Sequence, residues 1–206
     1  MANPSRNRTR HYNMNFTLLP TDDFFAARSI FASIDKTLQA RLTSLPSVLE
    51  RAQSSVMFAE QAKHGEHWVA AAYLRASLAD FVSLEEIQTL DTTAHTPLRI
   101  RDSSNPLVHL LALMRHLNFH VKSVATSRHT VSASVWDQPF EMNLSVISNL
   151  ALPDLQGLRN AKYYSTADLN NVVVWFAAAQ LHWGVGYIFR VGAEAFASEI
   201  AHHHGL

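Results

Sequence analysis

The stretch Met114-Arg115-His116-Leu117-Asn118-Phe119-His120 places a permanent cation between neutral side chains and two imidazoles. At 100° per residue, His109, His116 and His120 fall within about 40° of one another, with Arg115, Phe119 and Ser123 beside them. A planar guanidinium can hold a phosphate through paired hydrogen bonds. An imidazole takes up or gives up a proton near neutrality. Together on one exposed helix face they suit RNA cleavage. Arg115 would hold the scissile phosphate, and His120 would move a proton to or from the 2′-hydroxyl or the leaving 5′-oxygen. That chemistry calls for no metal and no cofactor. His116 and His120 also stand at the i, i+4 spacing of zinc-binding helices, as do Glu60 and His64. A metal site would need a further His or carboxylate. His109 lies about 10 Å along the axis from His116, too far to share an ion easily. His202-His203-His204 can chelate adventitious metal.

The elements that must position these residues read as mostly helical. Thr21-Asp22-Asp23 opens a helix expected to reach Ser44. Pro46 starts a second, to about Lys63. A third runs from about Glu66 to Leu90, with Ala70, Ala71, Leu74, Leu78, Phe81 and Val82 on one face. Residues 91–103 form a loop with Arg99 and Arg101, either solvated or touching phosphate. Ser104-Asn105-Pro106 opens the fourth helix, where Leu110, Leu113, Met114, Leu117, Val121 and Val124 span about 100° as a core stripe. Alternation on both sides of Asp137-Gln138-Pro139 predicts a β-hairpin over about 130–147. Residues 148–164 look irregular. Ser165 caps a last helix ending near Ile200, which Gly184 and Gly186 can bend. Its Trp175, Phe176, Trp183 and Phe189 read as core or dimer packing. The fold class is mainly α: an up-and-down bundle of about five helices with a small β-hairpin insertion. The chain divides into a flexible basic N-terminal tail over 1–20, with Arg6, Arg8 and Arg10, and a single helical domain over 21–206.

The Arg115–His120 pair, with polar His116 directly after the arginine, resembles the Arg-x4-His motif of HEPN domains, all-helical modules of prokaryotic toxin and defence systems. The upstream helix through Tyr73-Leu74-Arg75-Ala76-Ser77-Leu78-Ala79-Asp80-Phe81 looks like a HEPN core helix. The resemblance covers roughly residues 22–200, with the hairpin as an insertion. Lys122 departs from it, where some members carry a tyrosine. It implies a HEPN-like metal-independent endoribonuclease or RNA-binding protein of a toxin–antitoxin or defence system, working as a homodimer. Arg115 and His120 would be catalytic and His116 supporting. His109, Asn118 and Ser123 would line a cleft shared between two copies, and an antitoxin or other protein would be a partner. The alternatives are a non-catalytic homodimeric interaction module, or a helical bundle that binds a metal or small molecule.

Composition bounds all of these. The 206 residues are 48% hydrophobic, enough for one domain's core. Lys plus Arg and Asp plus Glu both number 17, so no broad basic footprint coats nucleic acid, although a local basic site remains open. Without cysteine there are no disulfides, thiolate metal sites or cysteine nucleophiles. No P-loop, dinucleotide fingerprint or Gly-x-Ser-x-Gly elbow occurs. The N-terminus lacks the apolar run of a secretory signal. Leu169–Phe189 carries no formal charge, yet its Asn170, Asn171, Gln180 and His182 are costly in lipid. The expectation is therefore a cytoplasmic protein with no membrane segment.

Overall fold

A computed structural model describes residues 11–26, 34–63, 67–92, 96–120, 125–135 and 138–206. The described elements are α1 (Asp22–Ala26), α2 (Lys36–Arg41), α3 (Pro46–Gln61), α4 (His67–Asp91), α5 (Pro106–His120), β1 (Thr126–Val135), β2 (Gln138–Ile147), α6 (Leu152–Gln156), α7 (Thr166–Trp183) and α8 (Val185–His203), with short 3-10 turns between them. The architecture is a helical bundle plus one antiparallel two-stranded ribbon.

The helices begin where local chemistry satisfies their free N–H groups. Pro46 sits in the first turn of α3, and both carboxylate oxygens of Asp91, the last residue of α4, accept from Ser47 and Val48 at 3.0 Å. One side chain thus closes α4 back onto the positive end of α3, which fixes them as antiparallel neighbours. Asn105 accepts from the Leu107 amide to open α5, and Ser165 accepts from Asp168 to open α7.

The helix expected over Thr21–Ser44 is broken. Ile34 and Asp35 are not helical, and Asp35 instead caps α2 through the Thr37 and Leu38 amides. The single last helix is two. Gly184, at φ 73° and ψ 153°, separates α7 from α8, whose axes bend by 118°. A side chain at that φ would be strained, so the break needs glycine. Among the described residues no single helix is long and apolar enough to cross a membrane.

α8 is the central element. Every residue from Val185 to Glu194 is buried, and the helix packs against α3, α4, α5, α7 and β2. A helix surrounded in this way must be apolar on all sides. Within the fully buried stretch Val185–Glu194, two charges break that rule. Arg190 Nε donates to Glu194 Oε1 at 3.2 Å, and Arg190 also lies 3.8 Å from Glu60 of α3. Glu60 in turn takes Lys63 at 2.7 Å.

Gly186 permits the α3–α8 approach. A Cβ there would meet the Ala59 backbone carbonyl oxygen, which cannot swing aside. At Gly192 the obstacle is the tip of the Leu111 side chain, which can rotate. Gly186→Ala is therefore expected to cost about 1–3 kcal/mol and Gly192→Ala less, read as shifts in urea midpoint. Equal losses would show that α3 yields as easily as Leu111.

The ribbon pairs Thr126↔Ile147 through Val135↔Gln138. The hairpin is where alternation placed it, with β1 beginning four residues earlier than Thr130. Gln138 and Pro139 belong to β2 rather than to the turn. The root is anchored. Gln180 of α7 accepts from the Ile147 amide at 2.7 Å and donates to its carbonyl at 3.0 Å, pairing with β2 as one residue of a third strand would. Toward the tip, Thr130, Ser132, Glu141, Met142 and Asn143 are exposed.

Residues 11–20, expected to belong to a flexible tail, form a strap across the bundle. The Tyr12 amide donates to the Tyr163 carbonyl at 2.8 Å, and the Asn15 amide to Ser104 at 2.7 Å. Trp175 Nε1 holds the Pro20 carbonyl at 3.2 Å. The remainder of that expected tail, 1–10, lies outside the described residues.

Candidate functional site

α5 carries the row of candidate residues, and depth along its axis separates them. His109, near the N-terminal end, is fully buried. Its Nε2 lies 2.8 Å from the Ser103 carbonyl and its Nδ1 3.1 Å from the Tyr164 hydroxyl. A carbonyl only accepts, so Nε2 carries the proton and the Tyr164 hydroxyl donates to Nδ1. Tyr12 of the strap stacks on the ring at 5.4 Å. His109 is therefore a satisfied core histidine and not the lining residue its helix face suggested. Asn118 is also buried, at 9% exposure. Ser123 lies outside the described residues, as does the side chain of His120, the last residue of α5.

Burial lowers the His109 pKa from its ordinary 6.5, opposed in part by the Ser103 hydrogen bond. The unfolded chain therefore binds this proton more readily than the folded one. The His109 contribution is complete above about pH 6.5 and is lost as pH falls toward the lowered native value. Glu199 acts in the opposite sense. Burial raises its pKa above 4.5, so its contribution is complete below that value and is lost as pH rises through the window above it. His109→Gln is expected to flatten the fall in urea midpoint between about pH 7 and pH 5. Parallel wild-type and mutant curves would assign the slope to other groups.

His116 is different. It is half-buried and opens into a cleft of about 410 Å³, whose polar lining includes Tyr12, Glu85, Glu86, Arg99, Arg101, Asn160 and Tyr164. A second lobe of about 620 Å³ shares His116 and Asn160 with the first and is lined also by Gly157, Arg159, Lys162 and Tyr163. Arg115, the next residue back, is half-buried on α5. The structure thus brings His116, Arg99 and Arg101 together and leaves His109 and Asn118 in the interior.

The loop with Arg99 and Arg101 is clamped onto α4. Gln88 donates to the Leu98 carbonyl and accepts from its amide, both at 3.0 Å. Glu85 takes the Arg99 guanidinium and the Ile100 amide, also at 3.0 Å. Arg101 is exposed and only loosely paired with Asp102, at 3.8 Å. Facing this loop is the 3-10 helix Arg159–Tyr163, inside the span that looked irregular. Its Arg159, Asn160, Lys162 and Tyr163 were missed by sequence reasoning. The one available signal was two cations three residues apart beside a tyrosine pair.

For the metal alternative, Glu60 is engaged by Lys63 and Arg190, and His64 lies outside the described residues. Among the described residues no three His, Asp or Glu side chains group as ion ligands would. His203 and His204 bond the Thr96 carbonyl and the Gln88 amide oxygen. A further cleft of about 550 Å³, between residues 17–24, α2 and α8, is mainly apolar, and its Arg41 is engaged by the Leu206 carbonyl.

The arrangement offers an imidazole at the junction of two lobes, cations on both sides and aromatic rings in the wall. Such a surface can hold a phosphodiester and exchange a proton with it. No family model matches the chain, no curated protein matches it in sequence, and no solved structure matches its fold.

Proposed function

We propose that this protein is a metal-independent endoribonuclease acting at the His116 cleft. The observation that carries the reading is His116 opening into one cleft with Arg99 and Arg101. In the proposed reaction a base removes the 2′-hydroxyl proton, and the 2′-oxygen attacks phosphorus. The bond from phosphorus to the 5′-oxygen breaks, and an acid protonates that oxygen. The products are a 2′,3′-cyclic phosphate and a 5′-hydroxyl, with no external co-reactant. Arg115, which lines neither lobe, would have to reach the phosphate from the edge of the cleft and neutralise it there, His120 transfers the proton and His116 supports it from the cleft side. The HEPN-like assignment, a homodimer, an antitoxin partner and a cytoplasmic location belong to this same reading.

A mixed RNA pool incubated with the protein in EDTA tests it. Fragments ending in 2′,3′-cyclic phosphate are the expected result, and an intact pool from folded protein sinks the ribonuclease reading. A second reading, a non-catalytic self-associating module, is favoured by the outer face of α7. There Val174 is 59% and Leu181 41% exposed, among Asn170, Asn171, Ala177 and Ala178.

A further inference from the structure

We propose that the 3-10 helix Arg159–Tyr163 forms a second phosphate subsite, binding the backbone phosphate of an RNA strand next to the one being cut. The proposal rests on the ribonuclease reading and deepens it, because it makes the substrate an oligonucleotide held at two phosphates or more.

In a 3-10 helix, residues three apart eclipse, one turn of about 6 Å apart along the axis. Arg159 and Lys162 stand at that spacing, so both cations project from one face. Both are exposed, and no carboxylate among the described residues pairs with either. The Lys162 ammonium lies 5.0 Å over the Tyr163 ring, which limits its wandering. The Tyr163 ring itself packs against Tyr12, tilted by 32° at a centroid distance of 5.3 Å.

The charge balance of the two lobes differs. The first holds Glu85 and Glu86, and Glu85 already engages Arg99. Among the described residues the second lobe has no carboxylate in its lining, and it has Arg159, Lys162 and His116. An anion is therefore better placed in the second lobe. His116 and Asn160 line both lobes, so a strand crossing His116 would present successive phosphates to the two halves.

The test uses fluorescence anisotropy with a 2′-O-methyl RNA octamer, which cannot be cut. Wild type is compared with Arg159→Ala/Lys162→Ala and with Arg128→Ala, an exposed charge on β1 away from the cleft. Loss of two phosphate contacts should reduce the slope of log K against log salt by about 1.4. Affinity at low salt should fall at least about tenfold with it. Cleavage of a dinucleotide, with its single phosphate, should be unchanged in the double variant. Melting temperatures are measured alongside. If wild type neither binds the octamer nor cuts RNA, the ribonuclease reading and the subsite fall together. If wild type binds and cuts but the double variant keeps its slope, the subsite alone is overturned. An equal slope change in Arg128→Ala overturns it too, since any lost charge would then have the same effect.

Discussion

On the proposed ribonuclease reading, His120→Ala should lower the rate of RNA cleavage by about 10²–10⁴, the range for removing a positioned proton-transfer group. Its melting temperature should stay close to wild type. Arg115→Ala should lose about 10²–10³, because it removes a fixed charge from the phosphate where negative charge builds up in the transition state. His116→Ala, which takes away a supporting group and leaves the proton donor in place, should lose about tenfold. The order matters as much as the size. Each loss should appear in kcat at saturating RNA, whereas Arg159→Ala/Lys162→Ala should mainly raise KM. A His120 variant that cleaves like wild type would remove it from the chemistry. A rate loss that tracks a falling melting temperature would make the residue structural. Acidic inactivation should be read with His109 in mind, since its protonation weakens the fold beneath the cleft over an overlapping pH range.

Arg190→Ala should be among the most destabilising single changes in the molecule, at about 3–5 kcal/mol. The Arg190 side chain is 4% exposed and that of Glu194 1%, so water cannot replace the lost guanidinium. Glu194 would remain as a carboxylate inside α8, and Glu60 would depend on Lys63 alone. Against the 5–15 kcal/mol by which domains of this kind are usually stable, such a loss brings unfolding near working temperatures. Replacing the pair together, as Arg190→Met/Glu194→Leu, should recover much of it. The two desolvation costs then disappear along with the attraction. Denaturant unfolding of the three proteins measures both numbers. If the single and double variants are equally unstable, the harm comes from lost packing and not from the lost guanidinium charge.

Much of this architecture could be read from spacing. The core faces of α3, α4 and α5 follow a 3.6-residue period, and the ribbon follows a period of two, because both patterns report local geometry. His116 was placed on its helix face by the same period, while Arg99 and Arg101 were read only as loop cations, solvated or touching phosphate. What failed was depth. A helical wheel collapses the axis, so it puts His109 beside His116 although the two lie about 10 Å apart. That distance takes His109 into the aromatic nest of Tyr12 and Tyr164. The strap was hidden because Tyr12 gains its contacts from residues about 150 positions away. The break at Gly184 depends on a backbone angle that apolar periodicity does not encode. Arg159 and Lys162 were passed over because a five-residue 3-10 helix has too few residues for any period to show.

The burial of α8 also sets an order of events during synthesis. Its partner α3 ends at Gln61, and α8 begins only at Val185. At roughly 5–20 residues per second, a translating ribosome takes about 6–25 s to cover that interval. Throughout it, the faces of α3, α4 and α5 that will grip α8 have no native cover. The nascent chain is thus an apolar trough waiting for its occupant, a natural target for holdase chaperones until the last core helix emerges and fills it.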